Sequence, residues 1–313
     1  MDEHKKNIVI NILKILFIVS ALFFIIKYIY RNVDEIKNIN FKVNWFIFLI
    51  SMLFFFVYKF TLASLWHLIT VQNETQIKYE DAIIAYFYSI LGKYIPGKVF
   101  LLGARIAYYK IEGMKVSKVA ICFFIENLCT LLGAAFLFLI SLLLFPNALF
   151  DKYKLIVFLL IVILFLFIHP KFINFLMKIV QKISKKKNLI IPIGYLQMLK
   201  LVFLFIVNWI IVGLGFSLLV YSFYPIKFNQ MLFVSGIFAL SAIIGILAIF
   251  APSGIGVREG IIILGLGLIM PEYYAIIISV VSRLWSTIPE LILSIFAFIY
   301  RRKKMICKIN KLN

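Results

Sequence analysis

Charged residues are scarce in this sequence: they make up 15% of its 313 residues, whereas 64% of the residues are hydrophobic. A soluble domain cannot hide that much apolar surface, because its surface-to-volume ratio forces it to show polar groups to water. Apolar runs such as 8–26 and 45–57 approach or exceed the length with which a helix crosses about 30 Å of hydrocarbon. Long continuous runs favour helices over barrel strands, whose hydrophobicity would alternate. The sequence therefore predicts an all-α, polytopic helical membrane protein.

Acidic residues and cysteines are also few. The 13 Asp and Glu stand against 33 Lys and Arg, a net charge of +20. Most basic residues lie in loops and tails, where the positive-inside rule places them, so no nucleic-acid partner is expected. All four aspartates lie outside the apolar runs, and Cys122, Cys129 and Cys307 have no metal or redox spacing. No nucleotide-binding loop of the form G-x-x-x-x-G-K-[ST] is present. We expect no metal, no cofactor and no direct use of ATP.

The apolar runs divide the chain into spans. We predict transmembrane helices at 8–30, 43–69, 117–145, 153–169, 195–223, 229–250 and 273–300, about seven or eight in all, in addition to the two interrupted segments described below. The first run is too long for the apolar part of a signal peptide and no A-x-A site follows, so it is expected to stay as a helix.

Basic residues predict the orientation and the internal division. The strongest basic blocks (110–118, 171–187 and 301–311) are expected on the cytoplasmic side of the plasma membrane. The whole chain is predicted to be one membrane domain, with a half at 1–169, a basic connector at 170–194, a half at 195–300 and a basic tail at 301–313. The connector has apolar residues at helical spacing, which fits a helix on the anionic membrane surface or, equally well, a solvated loop.

Two apolar segments, 82–110 and 252–271, are interrupted by glycine and proline, and their prolines lie about half a chain length apart. In secondary transporters, paired broken helices mark a substrate site near the interface of two repeats. Broken backbone at membrane depth must be buried in protein or face a watery cavity, because lipid cannot satisfy its polar groups. The pairing suggests two structurally related halves with re-entrant segments. The residues of the two breaks are Gly92, Pro96, Gly97, Gly103, Pro252, Ser253, Gly254, Gly256 and Gly260.

Ionisable residues inside apolar stretches are costly and are candidates for function. The candidates for substrate binding are Lys98, Arg105, Glu126, Arg258, Glu259, Arg283 and Glu290. With Lys93 they comprise five cations and three carboxylates, and this positive surplus suits a phosphate group. Two simpler interpretations remain: Lys93 and Lys98 reach the membrane interface, and the Glu–Arg pairs are structural locks between helices.

The segments 92–105 and 254–260, the Glu126 helix and Arg283 resemble the lysylphosphatidylglycerol synthase transmembrane-region family, also called the flippase-like domain family. The stretch GIGVREG is the most specific part, and the resemblance covers almost the full chain. Two departures stand out: the family often has Glu-Arg where this chain has Glu126-Asn127, and Lys98 replaces a small residue.

The resemblance implies a membrane domain that moves lipids with anionic or modified headgroups between leaflets. In the best-known members this domain is fused to an aminoacyl-transferase. Here the chain ends about a dozen residues after the last span, so we expect a stand-alone member and not an enzyme. The resemblance also implies envelope glycan or lipid biosynthesis enzymes as partners, and a homo-oligomer is compatible with it.

The resulting hypothesis is a flippase for a phospholipid or polyprenyl-phosphate substrate in cell-envelope biogenesis. Arg105, Arg258 and Arg283 would engage phosphate, and Glu126 and Glu259 would orient them. One alternative is a glycosyltransferase that uses a polyprenyl-phosphate sugar donor, with acidic residues at 34–35 in the first outer loop. Another is a non-transporting scaffold of an envelope glycan assembly complex.

Overall fold

The computed structural model describes residues 42–73, 77–94, 99–147, 151–169, 171–172, 174–175, 194–248 and 254–310. The predicted span 8–30, the acidic pair 34–35 and most of the connector 170–194 lie outside these residues. All regular structure in the described part of the chain is helical, which confirms the predicted all-α class.

The described residues form nine α-helices and one short 3-10 helix. In chain order they are α1 (Trp45–Gln72), α2 (Tyr79–Ser89), the 3-10 helix (Ile90–Tyr94), α3 (Val99–Ile111), α4 (Val116–Leu144), α5 (Lys154–Phe167), α6 (Tyr195–Phe223), α7 (Phe228–Leu247), α8 (Val257–Leu266) and α9 (Glu272–Asn310).

Five of these helices, α1, α4, α6, α7 and α9, are long and apolar enough to cross a bilayer. They coincide closely with five predicted spans, so the prediction of a polytopic helical membrane protein is confirmed. The predicted span 153–169 differs: α5 has 14 residues, about 21 Å of helix, which is short of about 30 Å of hydrocarbon. Its end has a local cause, because Pro170 disfavours helical backbone in the residue before it.

The first broken segment folds back on itself as a hairpin, which we call the first hairpin (α2, the 3-10 helix and α3). Helix α3 returns alongside both α2 and the 3-10 helix. The turn is close: a Cβ atom added to Gly92 would lie 2.6 Å from the backbone nitrogen of Leu101. Such an overlap leaves room only for glycine. Residues 95–98, with Pro96, Gly97 and Lys98, lie outside the described residues.

The second broken segment also reverses the chain, and α7 with α8 is called the second hairpin. Gly254 lies beside Gly245, and Gly265 lies beside Ile237, so the two helices run antiparallel. Gly254 has a φ of +69°, and a Cβ atom there would lie 2.7 Å from the Gly245 Cα. Both the left-handed backbone and the backbone contact favour glycine. The predicted related halves therefore each contain one such hairpin.

Helix α6 lies at the centre of the described structure and packs against α1, α4, α7 and α9. Beside it, the buried ring of Trp285 on α9 lies 4.8 Å from the ring of Phe55 on α1 and 5.8 Å from that of Phe238 on α7. Its Nε1 donates a hydrogen bond to Ser51 Oγ at 3.1 Å. Helices from both predicted halves thus share one core.

Replacement of Gly92 by alanine is expected to destabilise the protein by about 1–3 kcal/mol, the usual cost of overpacking a close contact. The added methyl group would overlap the Leu101 backbone. Gly103→Ala is the matched control, because a Cβ atom there meets nothing within 4 Å and alanine favours helix over glycine. Thermal unfolding of detergent-purified protein measures both variants, and equal unfolding midpoints would contradict the hairpin contact.

Candidate functional site

A cavity of about 160 Å³ lies where the two hairpins meet the spanning helices. Its walls come from α1, the 3-10 helix, α4 and every helix from α6 to α9. Two of the lining residues, Thr130 and Trp209, are the central residues of α4 and α6, which are both 29 residues long. The cavity is therefore at mid-length of the spanning helices, at the depth of the bilayer centre when these helices cross the membrane.

A carboxylate held by two lysines forms one wall of this cavity. Glu290 on α9 is only 1% exposed, and its Oε1 lies 2.7 Å from Lys59 Nζ on α1. Lys93 on the first hairpin donates a hydrogen bond to the same oxygen at 2.6 Å. The Lys59 ammonium group also lies 5.1 Å from the centroid of the Tyr58 ring, where the π electrons attract it. Since an isolated ion is costly at this depth, the cluster persists because its charges are paired.

Arg258 on α8 forms another part of the cavity wall. Its stem packs on Gly245, where a Cβ atom would lie 2.5 Å from the Arg258 Cγ. Its guanidinium group lies 5.3 Å from the centroid of the Phe238 ring. Its buried Nε atom has no hydrogen-bond partner among the described residues. Arg258 thus brings a positive charge to the cavity without a salt-bridge carboxylate in the described part of the chain.

Next to Arg258, a buried ion pair fixes the start of α8. Arg283 on α9 pairs through Nε with Glu259, and its Nη2 donates to Glu259 Oε2 at 3.1 Å. The same Nη2 donates to the Gly254 carbonyl at 2.9 Å. Glu259 also accepts the Gly256 backbone N–H at 2.7 Å, so it caps the first turn of α8. These bonds set the backbone from which Arg258 projects.

A second buried ion pair joins the first hairpin to α4, away from the cavity lining. The Arg105 guanidinium on α3 pairs with Glu126 on α4, and its Nε donates to Ser89 Oγ at 3.0 Å. Arg105 is 2% exposed and is covered by the rings of Trp66 and Tyr86, at 4.2 and 4.4 Å from their centroids. Every charge here is compensated, as in a structural lock.

Both predicted halves contain an arginine–glutamate pair between a short helix and a spanning helix, but the positions of the two residues are exchanged. In the first half the arginine lies on the short helix after the break and the glutamate on the next spanning helix. In the second half the glutamate lies on the short helix and the arginine on the spanning helix. This arrangement supports the prediction of related halves, which remains a prediction.

The predicted site residues fall into three groups. The cavity wall contains Arg258 and Glu290, the two buried pairs contain Arg105, Glu126, Glu259 and Arg283, and Lys98, Pro96, Gly97, Pro252 and Ser253 lie outside the described residues. Of the glycines, Gly92 and Gly254 make close backbone contacts, whereas a Cβ atom at Gly103 or Gly260 meets nothing within 4 Å. Binding roles for all of these residues stay predictions.

Lys59 is a charged residue of the cavity wall that is absent from the predicted site. It lies near the middle of α1, in an apolar run that reads as an ordinary spanning helix. Its position in the middle of a span could have indicated a buried partner, because a lysine far from both ends of a span does not easily reach the interface. Lys93 is noted in the sequence but not placed in the site, and its pairing with Glu290 on α9 joins residues 197 positions apart.

The family profile described as the lysylphosphatidylglycerol synthase TM region matches residues 11–294. The chain belongs to this family. The match includes both hairpins and the four charged residues of the cavity wall. No curated protein matches the chain at a significant level.

Metal-ligating side chains do not cluster in the described residues: no group of three or more His, Cys, Asp or Glu could hold a metal ion there. Cys122 and Cys129 are buried as free thiols. The chemistry that the described cavity offers is therefore ionic and aromatic recognition.

Substitution of Arg105 by glutamine is expected to destabilise the protein by about 3–5 kcal/mol, because it leaves the Glu126 carboxylate buried without its counter-ion. The double variant Arg105→Gln/Glu126→Gln should lose less, since no buried charge remains. Asp151→Asn, which breaks the exposed pair with Lys154, is the control and should change stability by about 1 kcal/mol or less. Thermal unfolding in detergent gives the midpoints of the wild type, these three variants and the single variant Glu126→Gln. A double variant as unstable as the sum of its single variants would contradict the lock.

Proposed function

We propose that this protein moves lipids with phosphate-bearing headgroups between the leaflets of the membrane. The observation that supports this most directly is the cavity at mid-length of the spanning helices, whose charged lining of Lys59, Lys93, Arg258 and Glu290 is positive overall. A negatively charged headgroup that crosses the hydrocarbon needs a site whose positive charges pair with it, because an unpaired charge at the bilayer centre is costly.

Size and lining suit a headgroup and exclude a whole lipid. The volume of about 160 Å³ is below the range of about 300–1,000 Å³ for pockets that enclose drug-sized ligands. Aromatic side chains, among them Tyr58, Trp209 and Phe238, form much of the remaining wall. In this proposal the phosphate group enters the cavity and the acyl or prenyl chains stay in the surrounding lipid.

The proposed phosphate contacts differ in part from those that the sequence predicts. Lys59, Lys93 and Arg258 are proposed to contact the phosphate, because they line the cavity. Arg283 is proposed to position Arg258 by holding Glu259 and Gly254 at the start of α8. Arg105, with Glu126, is proposed to hold the first hairpin against α4.

The origin of the cations suggests how the site opens. Lys93 comes from the first hairpin and Arg258 from the second, whereas Lys59 and Glu290 come from spanning helices. In transporters with paired broken helices, access to a central site alternates as one repeat moves against the other. We propose that movement of one hairpin relative to the other exposes the cations to one leaflet at a time.

The rival glycosyltransferase is less well supported. Among the described residues, the cavity wall offers one carboxylate, Glu290, and it is held by two ammonium groups. A carboxylate stabilised in its ionised form by two cations is a poor general acid and a weak general base. The acidic pair 34–35 lies outside the described residues. Plasma-membrane location with cytoplasmic basic loops, envelope biosynthesis partners and homo-oligomerisation remain part of the proposal.

Reconstitution in liposomes with a fluorescent, phosphate-bearing lipid tests the proposal. The wild type should move the lipid between leaflets, measured as fluorescence that becomes accessible to external dithionite. Arg258→Gln should lower the initial rate about tenfold or more, because a hydrogen bond to a charged group contributes about 1.5–3 kcal/mol. Lys110→Gln, at an exposed position of α3, is the matched control and should retain the wild-type rate.

Two outcomes would contradict the proposal. Absence of translocation by well-folded wild-type protein would favour the scaffold or the enzyme. Equal rates for the wild type and an Arg258→Ala/Arg283→Ala double variant would show that these arginines have no role in transport.

A further inference from the structure

The charge of the cavity can be assigned residue by residue. Lys59, Lys93 and Arg258 bring three positive charges to its described wall, and Glu290 brings one negative charge. The neighbouring pairs, Arg283 with Glu259 and Arg105 with Glu126, are each neutral. Among these described residues, the surplus of two positive charges therefore lies on the cavity wall.

A surplus of this size limits the anions that fit. In a low-dielectric site the interaction between charges a few ångströms apart is several times stronger than in water. A singly charged headgroup would leave one positive charge uncompensated at the bilayer centre, which is unfavourable. A doubly charged headgroup neutralises the wall. The wall also has enough hydrogen-bond donors for the phosphate oxygens of such a headgroup, because each lysine has three N–H donors and Arg258 has five.

Resting on the proposed function, we infer that the preferred substrate is a lipid that ends in a phosphomonoester or a diphosphate, and that a lipid with a phosphodiester headgroup is disfavoured. A phosphomonoester carries about −1.5 to −2 charges at pH 7, because its second pKa is near 6. A phosphodiester has no second acidic proton and carries one charge. The net charge of Lys59, Lys93, Arg258 and Glu290 thus determines which headgroup is selected.

The experiment compares two lipids with identical fluorescent acyl chains, phosphatidic acid and phosphatidylglycerol, in the same proteoliposome preparation at pH 8. The readout is the ratio of their initial translocation rates, because loss of folded protein changes both rates equally and leaves the ratio unchanged. The wild type should move phosphatidic acid at least about tenfold faster.

Variants of the cavity wall change its charge in known steps. Lys93→Gln lowers the surplus to one positive charge and should reduce the ratio to near one. The double variant Lys93→Gln/Glu290→Gln restores a surplus of two, so its ratio should return toward that of the wild type even if both rates fall. Lys110→Gln, exposed on α3, is the control and should keep the wild-type ratio.

A further arm distinguishes the lipid headgroup from free phosphate. Millimolar inorganic phosphate should inhibit phosphatidic acid translocation only weakly, because it lacks the chains that concentrate the lipid at the site. Strong inhibition of phosphatidic acid translocation by millimolar inorganic phosphate would show that the free ion binds the cavity as well as the lipid does, and would overturn the inference that a lipid headgroup is preferred.

The remaining outcomes separate the inference from the proposed function. If phosphatidylglycerol moves as fast as phosphatidic acid, the inference is wrong and the flippase function stands. If the double variant keeps the low ratio of Lys93→Gln, net charge does not set the selectivity and the inference is again wrong. If neither lipid moves, the proposed function itself fails.

Discussion

The central physical constraint on this protein is that hydrocarbon offers no partner to a charge or a broken backbone. Three buried carboxylates of the described helices meet this constraint with basic side chains from other helices. Glu126 and Glu259 are each paired with one arginine, and Glu290 is paired with two lysines. These pairings fix where both hairpins dock, and the docked hairpins in turn enclose the cavity.

Much of the fold can be predicted from the sequence, because long continuous apolar runs form helices in lipid. The helices α1, α4, α6, α7 and α9 coincide with runs that hydropathy alone identifies. The shorter α5 departs from its predicted span by one residue at its start and two at its end, because hydropathy does not determine the exact ends of a helix. The breaks near Gly92 and Gly254 were also visible, because glycine and proline interrupt helical backbone.

The site could be predicted only in part, since pairing between distant residues leaves no mark in local sequence. Of the predicted residues, Arg258 and Glu290 line the cavity. The prediction grouped Arg105 with Arg258, although Arg105 is satisfied by Glu126 and by aromatic rings elsewhere. Lys59 escaped notice because its partner, Glu290, lies on the last helix of the chain.

The opposite polarity of the two arginine–glutamate pairs affects how the chain assembles. If the two short helices exchanged docking positions, Arg105 would face Arg283, and Glu259 would face Glu126. Both encounters would place like charges together in a medium that screens them poorly. The inverted pairs therefore disfavour the docking of either short helix at the position of the other, and so favour the observed arrangement as the chain assembles.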